Sequence, residues 1–172
     1  MAKGRYSIRV AEVTDVPALL QCLGAAFKSY RSCYTVDAFL DTVLTDQTAR
    51  ERLASMTVLL AVDDSAEVIG TIASARESDT VGHLRGMAIL PEWQGSGVAQ
   101  ALLGRALNDL AGSGCDLVTL DTTHPLRRAV HFYEKNGFRR SGKVCDFFGM
   151  PLIEYCRDLK RQRATSSLVQ RP

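Results

Sequence analysis

No apolar run in the sequence approaches the roughly 20 residues that a membrane-spanning helix needs. Nor does an apolar signal core follow the first residues, Met-Ala-Lys-Gly-Arg-Tyr. There is no Cys-x-x-Cys pair, and the five cysteines (Cys22, Cys33, Cys115, Cys145 and Cys156) are odd in number. This argues against a zinc site and a disulfide framework, and leads us to expect free, mostly buried thiols in a soluble cytoplasmic protein. A concentrated basic stripe is also missing. The formal charge is +2, from 21 Lys and Arg against 19 Asp and Glu, but Lys160, Arg161, Arg163 and Arg171 lie in the last thirteen residues, which hold no acid. Without those four, 17 basic residues face 19 acidic ones, so residues 1–159 carry −2. Nucleic acid and membrane partners are therefore not expected, and residues 160–172 read as a basic, flexible tail.

What is present suits one globular domain. The 172 residues are 46% hydrophobic and 23% charged, enough to bury a core without staples. No internal repeat or low-complexity linker interrupts residues 5–159. Strand and helix patterns alternate along the chain. Residues 6–10 read as a strand. Thr14 or Asp15 can cap a helix with Pro17 in its first turn and Val16, Leu19, Leu20, Leu23 and Phe27 as its apolar stripe. Thr35 caps a second helix carrying Val36, Phe39, Leu40 and Val43, and residues 46–54 form a short third. Residues 58–62 and 68–74 read as a hairpin, and 81–90 as a longer strand closed by Pro91. Next come a helix at 97–111, a strand at 117–121, a helix at 125–136 ended by Gly137, and strands at 138–141 and 152–158. The order predicts an α/β fold on a mixed sheet.

The chemistry concentrates where the strand at 81–90 gives way to the helix at 97. Gln94, Gly95, Ser96, Gly97, Val98 and Ala99 form a short loop with two glycines that opens a helix. Glycines let backbone approach a ligand, and the first amides of a helix lack internal partners. The helix dipole adds roughly half a positive charge there, so the loop suits a phosphate or pyrophosphate. A Walker A run is not present, and the dinucleotide fingerprint fails because Gln100 stands where it needs a small residue.

Gln94, Gly97 and Ala99 occupy the fixed positions of the Q/R-x-x-G-x-G/A signature, and the chain resembles the GNAT acetyltransferase superfamily. Residues 129–138, Ala-Val-His-Phe-Tyr-Glu-Lys-Asn-Gly-Phe, are similar to that family's second motif, and Met87 to Glu92 to its strand-to-loop run. The likeness extends over residues 6–159. It implies a single domain over 1–159 with a GNAT-like acyl-CoA N-acyltransferase fold. The sheet would be mixed, mostly antiparallel, twisted and flanked by helices, and splayed between the strands at 81–90 and 117–121. The resemblance further implies acetyl-CoA as cosubstrate and no metal. The pantetheine arm would lie on backbone near Ala88 and Ile89, and the pyrophosphate on the amides of residues 94–99. A small-molecule or peptide amine would attack the thioester directly in a ternary complex. A homodimer through the late strands is also implied.

Direct attack needs a base for the amine proton and gains from an acid for the leaving thiolate. Tyr133 matches the family position of that acid, although it also lies on the stripe formed with Leu126, Ala129 and Val130. His83 is the candidate base. It shares one side of its strand with Arg85, histidine is the residue type suited to proton transfer near neutral pH, and arylalkylamine-type members carry a histidine there. His124, Asp121 or a held water are the alternatives, while Glu77 and Asp79 read as solvated loop charges. The chain departs from the family at Leu126, where many members carry an Asn that bonds the pantetheine arm; Thr122, Thr123 or His124 could take over that bond. The acceptor pocket is expected between residues 28–34 and 145–150, with Tyr30, Tyr34, Phe147 and Phe148 either lining it or packed in the core, and Asp146 available to a cationic amine. The rival readings are a catalytically silent acyl-CoA-binding module and a nucleotide-binding protein of another fold.

Overall fold

The computed structural model describes residues 4–160. Apart from Lys160, the basic tail expected over 160–172 lies outside the described residues. Seven strands form one sheet in the order β1-β2-β3-β4-β5-β7-β6. They are β1 (Tyr6–Val10), β2 (Thr57–Asp63), β3 (Val68–Arg76), β4 (Val81–Ile89), β5 (Leu117–Thr123), β6 (Arg139–Phe147) and β7 (Met150–Asp158). Every neighbouring pair is antiparallel except β4 and β5, which run parallel. The helices are α1 (Val16–Phe27), α2 (Val36–Val43), α3 (Asp46–Ser55), α4 (Val98–Gly112) and α5 (Arg127–Lys135). The mixed, mostly antiparallel α/β sheet expected from the sequence is therefore present.

The core forms where strands carry apolar residues on both faces. Leu59 and Leu60 of β2 and Ile69 and Ile72 of β3 are fully buried. A strand buried on both faces needs a cover on each. Helix α1 packs on β3 and β4, and α4 packs on β2, β3 and β4. Val98, Leu102, Leu103, Ala106, Leu107 and Leu110 bury one side of α4 at helical spacing. Gly70 and Gly82 let that helix come close, since a Cβ on either would meet Leu102 or Leu110 within 3.2 Å.

Two irregularities in β4 open the sheet. Thr71 pairs with Ala88 but Ala73 with Arg85, so one extra β4 residue bulges out at Gly86 and Met87. Gly86 takes a left-handed φ of 62°, as a bulge of this kind requires. The parallel ladder with β5 runs only from Val81↔Leu117 to Leu84↔Leu120. Beyond it the two strands part, while β5 stays paired with β7 as far as Thr123. The splay implied by the family resemblance is thus built by a ladder that stops and a bulge that bends its partner away.

Several local expectations need correction. Thr35 caps α2 and accepts from the Ala38 N–H at 3.3 Å, as read from the sequence. At α1, however, neither Thr14 nor Asp15 caps through its side chain. A short 3-10 turn (Val13–Asp15) precedes the helix, and the Asp15 carboxylate instead accepts from the Glu12 N–H at 2.8 Å and from Arg9 at 2.7 Å. Helix α5 starts at Arg127 rather than 125. Strand β6 extends to Phe147 rather than 141, because Phe148 and Gly149 both take positive φ and close a tight two-residue turn onto β7. Cys22 and Cys115 are buried, but Cys33 and Cys145 are exposed, so the thiols are not mostly buried.

Leu102 is fully buried where α4 meets Gly70 of β3. Leu102→Ala is expected to cost about 2–5 kcal/mol of stability. Urea denaturation of the two proteins checks this, and a change under about 1 kcal/mol would mean that the contact is loosely packed.

Candidate active site

The parting of β4 and β5 leaves two cavities that meet over the same residues. One, of about 200 Å³, lies on the side of α2 and α3 and includes His83, Arg85, Asp121 and Thr122 in its lining. The other, of about 210 Å³, runs along the end of β4 to the glycine loop and includes Ala88, Ile89, Trp93, Gln94, Gly95 and Ala99. Phe27, Met87, Leu126, Ala129 and Tyr133 border both.

The glycine loop owes its shape to positive φ at Gly95 (77°) and Gly97 (92°). Gln94 and Ser96 spend their N–H groups within the turn, on Pro91 O and Trp93 O at 3.3 Å each. The N–H groups of Gly95, Gly97, Val98 and Ala99 have no hydrogen-bond partner among the described residues. These four are the donors left to an anion at the α4 N-terminus. The Gln94 side chain ties the loop down. Its amide nitrogen reaches Ile89 O at 3.5 Å, and its oxygen accepts from Arg128 at 2.8 Å. Arg128 thus adds a cation beside the loop. The sequence reading did not single it out, although a basic residue in the first turn of a helix facing the loop was there to be read.

At the edge of β4, Leu90 N–H donates to Ile69 O on β3 at 2.9 Å. Backbone groups alternate sides along a strand, so Ile89 turns its own toward the open gap. Of the three residues considered as substitutes for an Asn at Leu126, Thr122 has a buried hydroxyl with no partner among the described residues. Thr123 does not, since its hydroxyl shares a 2.6 Å hydrogen bond with Tyr34. His124 is exposed.

Tyr133 stands where the cavities join. Its ring is gripped edge-on by Phe132 and Phe138, with centroids 5.6 and 5.8 Å away. Its hydroxyl donates to the Met87 sulfur at 3.4 Å, a weak acceptor. Tyr133 therefore both packs and presents its hydroxyl, the two roles left open by its sequence. Burial pushes the phenol well above its usual range, so it stays protonated at neutral pH.

His83 lies across the first cavity. Its Nδ1 is 2.8 Å from the Thr119 hydroxyl, which itself leans toward Gly82 O at 3.5 Å. That chain of donors favours a proton on Nδ1 and leaves the Nε2 lone pair free. Nε2 faces the Asp121 carboxylate at 3.6 Å, and Glu77 lies 3.7 Å from Nδ1. Glu77 is an exposed loop residue, as expected, although its carboxylate comes near the ring, and Asp79 is fully exposed. Partial burial raises the Asp121 pKa against the opposing pull of His83.

The aromatic residues separate by role. Tyr34 and Phe147 line the first cavity, and Tyr30 lines the second. Phe148 sits at the hairpin tip, 52% exposed, outside both. Asp146 lies near the end of β6, and its carboxylate reaches over the turn to accept from Gly149 N–H at 3.2 Å. The sequence reading missed Asp41 and Arg52. Arg52 could have been found as an arginine on the stripe that Ala49 marks as the buried side of α3.

The Tyr133 phenol gives a testable pH signature. Unfolded, it ionises near the ordinary value of about 10. Folded, it ionises higher. Its contribution to stability is therefore complete below about pH 10 and is lost as pH rises toward the folded value. Wild type is expected to lose urea resistance above about pH 10 more steeply than Tyr133→Phe. Parallel slopes would show that the hydroxyl is solvated.

Comparison with known proteins places these features. The sequence model of the acetyltransferase (GNAT) family matches residues 23–138. An N-acetylaspartate synthetase from Danio rerio is 34% identical over 82 residues, 47% of this chain and 29% of that protein. An aminoglycoside N(6')-acetyltransferase type 1 from Stenotrophomonas maltophilia is 36% identical over 76 residues, 44% of this chain and 49% of that one. The chain thus spans half or less of the length of the relatives it matches. Among solved structures, the PaiA N-acetyltransferase from Thermoplasma acidophilum in complex with coenzyme A superposes with a TM-score of 0.74 at 20% identity, over 90% of this chain and 99% of that one. The match to the family's sequence model covers well over half of the chain, and the protein belongs to the acetyltransferase (GNAT) family.

Proposed function

We propose that the protein transfers an acetyl group from acetyl-CoA to a primary amine by direct attack within a ternary complex. The observation that carries this reading is the Tyr133 hydroxyl at the junction of two cavities, one ending in unpaired loop amides and the other holding His83. The names of the two relatives, one for an N-acetylated amino acid and one for an aminoglycoside, favour an amine as acceptor.

The residues present fit the cosubstrate. The free amides of Gly95, Gly97, Val98 and Ala99 can hold its pyrophosphate at the α4 N-terminus, with Gln94 and Ser96 fixing the loop. The β4 edge at Ile89 offers backbone pairing to its pantetheine arm, whereas the Ala88 backbone faces Thr71 of β3, and the Thr122 hydroxyl lies unpaired on the first cavity. When bound, acetyl-CoA supplies a thioester carbonyl for the amine to attack.

His83 Nε2 is placed to take the amine proton, and Asp121 then faces the resulting imidazolium. The C–N bond forms as the C–S bond breaks. Tyr133, held protonated by burial, donates its proton to the leaving sulfur and recovers one as the site resets. The half-buried gap limits water, which strengthens both interactions.

The test pairs thiol release across a panel of amines with calorimetry of coenzyme A. Tyr133→Phe is expected to lower kcat by about 10²-fold or more while coenzyme A still binds. Undiminished turnover in that variant would remove Tyr133 from the mechanism. A protein that binds coenzyme A but turns over no amine would instead be the silent module. His83→Gln is expected to lose about 10²-fold at neutral pH. The deficit should narrow as pH rises, since the amine then deprotonates unaided. A deficit constant with pH would exclude His83 as the base.

A further inference from the structure

We propose that the amine acceptor carries a carboxylate close to its amino group, an amino acid or a compound like one, and that Arg52 is the residue that recognises it. This rests on the acetyltransferase reading and names the substrate class of the same site.

The starting observation is a buried charge without a counter-charge of its own. Arg52 lies on α3 and lines the cavity that holds His83. It is only 9% exposed. Its guanidinium makes no hydrogen bond and no ion pair among the described residues. The nearest carboxylate, Asp41, is already bound to Arg85. Two guanidinium groups therefore share one carboxylate, and one positive charge is left over on this wall. Burial and the Arg85 charge lower the Arg52 pKa to about 10, which still leaves it charged at neutral pH. Its nitrogens are not among the sealed polar atoms, of which the Thr122 hydroxyl is the one found among the described residues, so the guanidinium opens into the cavity where a ligand can reach it. A ligand carboxylate would supply what the protein withholds, and the planar fork of arginine matches that group with two parallel hydrogen bonds.

Position fixes the rest. A Cβ on Gly86 would stand 2.6 Å from one terminal nitrogen of Arg52, so the guanidinium lies over the bulge of β4. The next residue, Met87, receives the Tyr133 hydroxyl. The anion-binding end of the cavity is thus one residue along the strand from the junction of the two cavities. Across the cavity, His83 faces Asp121, a wall suited to the amine end. The cavity is accordingly bipolar. A polyamine would place a second cation against Arg52 and Arg85. A small amino acid places opposite charges against both walls.

The experiment compares matched acceptors: glycine, aspartate and methionine as free acids, glycinamide, aspartate α-amide and methioninamide as their amides, and spermidine. An amide lowers the basicity of the neighbouring amine, so intrinsic reactivity favours the amides. The enzyme is expected to prefer the best free acid over its amide by at least tenfold in kcat/KM, through KM. Arg52→Met, which keeps length and apolar packing, is expected to bring that ratio close to one, and Arg52→Lys to restore part of it. Ligand-free Arg52→Met is expected to unfold at a urea midpoint no lower than that of wild type. Equal use of acids and amides by the wild type, or a ratio unmoved by Arg52→Met, would overturn the carboxylate assignment while leaving the acetyltransferase reading intact. A clearly lower midpoint would assign Arg52 to holding the fold and also overturn it. Turnover of no amine at all would remove the transferase reading and this proposal with it.

Discussion

The parallel ladder between β4 and β5 ends at Leu84 and Leu120, and the functional half of the molecule is organised by the backbone that this ending leaves unpaired. Backbone groups inside a sheet normally find partners in the neighbouring strand. Here β3 and β7 hold the outer edges of β4 and β5, and the inner edges diverge. Helices α1 and α4 cover the sheet through a tightly filled core of leucine, isoleucine and valine. The opening is thus a rigid slot rather than a loose region.

Unsatisfied polar groups are scattered and few in most folded proteins. Among the described residues, polar groups without a protein partner line the slot: four loop amides and the Arg52 guanidinium, which are open to a ligand, and the Thr122 hydroxyl, which is fully buried. Each would be more stable with a partner, and each lies on a wall of one of the two cavities or at its end. The fold tolerates the cost because the leucine, isoleucine and valine core does not depend on these groups.

The sequence disclosed those features whose signal is local. The glycine loop could be read because two glycines before a capless helix have a direct backbone meaning, and the structure gives both positive φ. Gly137, with φ of 81°, ends α5 for the same reason. Tyr133 and His83 were legible through motif and strand alternation, and the structure brings them to the same cavity. The missed parts depend on contacts distant in sequence. Arg52 is an ordinary helix residue until Gly86, far along the chain, vacates space for its guanidinium. Asp41 reads as a solvated helix charge until Arg85 is brought against it. The length of β6 was hidden because Phe148 and Gly149 lack the usual turn pair, and because Thr35 on another element bonds the Phe148 carbonyl at 2.9 Å.

Five residues form the partition between the two cavities: Phe27, Met87, Leu126, Ala129 and Tyr133. A partition common to two chambers cannot be reshaped from one side only. Whatever free energy an occupant of the first spends or gains in moving these side chains is felt by the occupant of the second, and linkage makes the effect equal in both directions. On the ternary-complex reading proposed above, the affinity of either ligand would depend on the state of the other chamber. On the proposed reading, an occupancy curve taken with one chamber vacant would describe a different protein from the doubly occupied one.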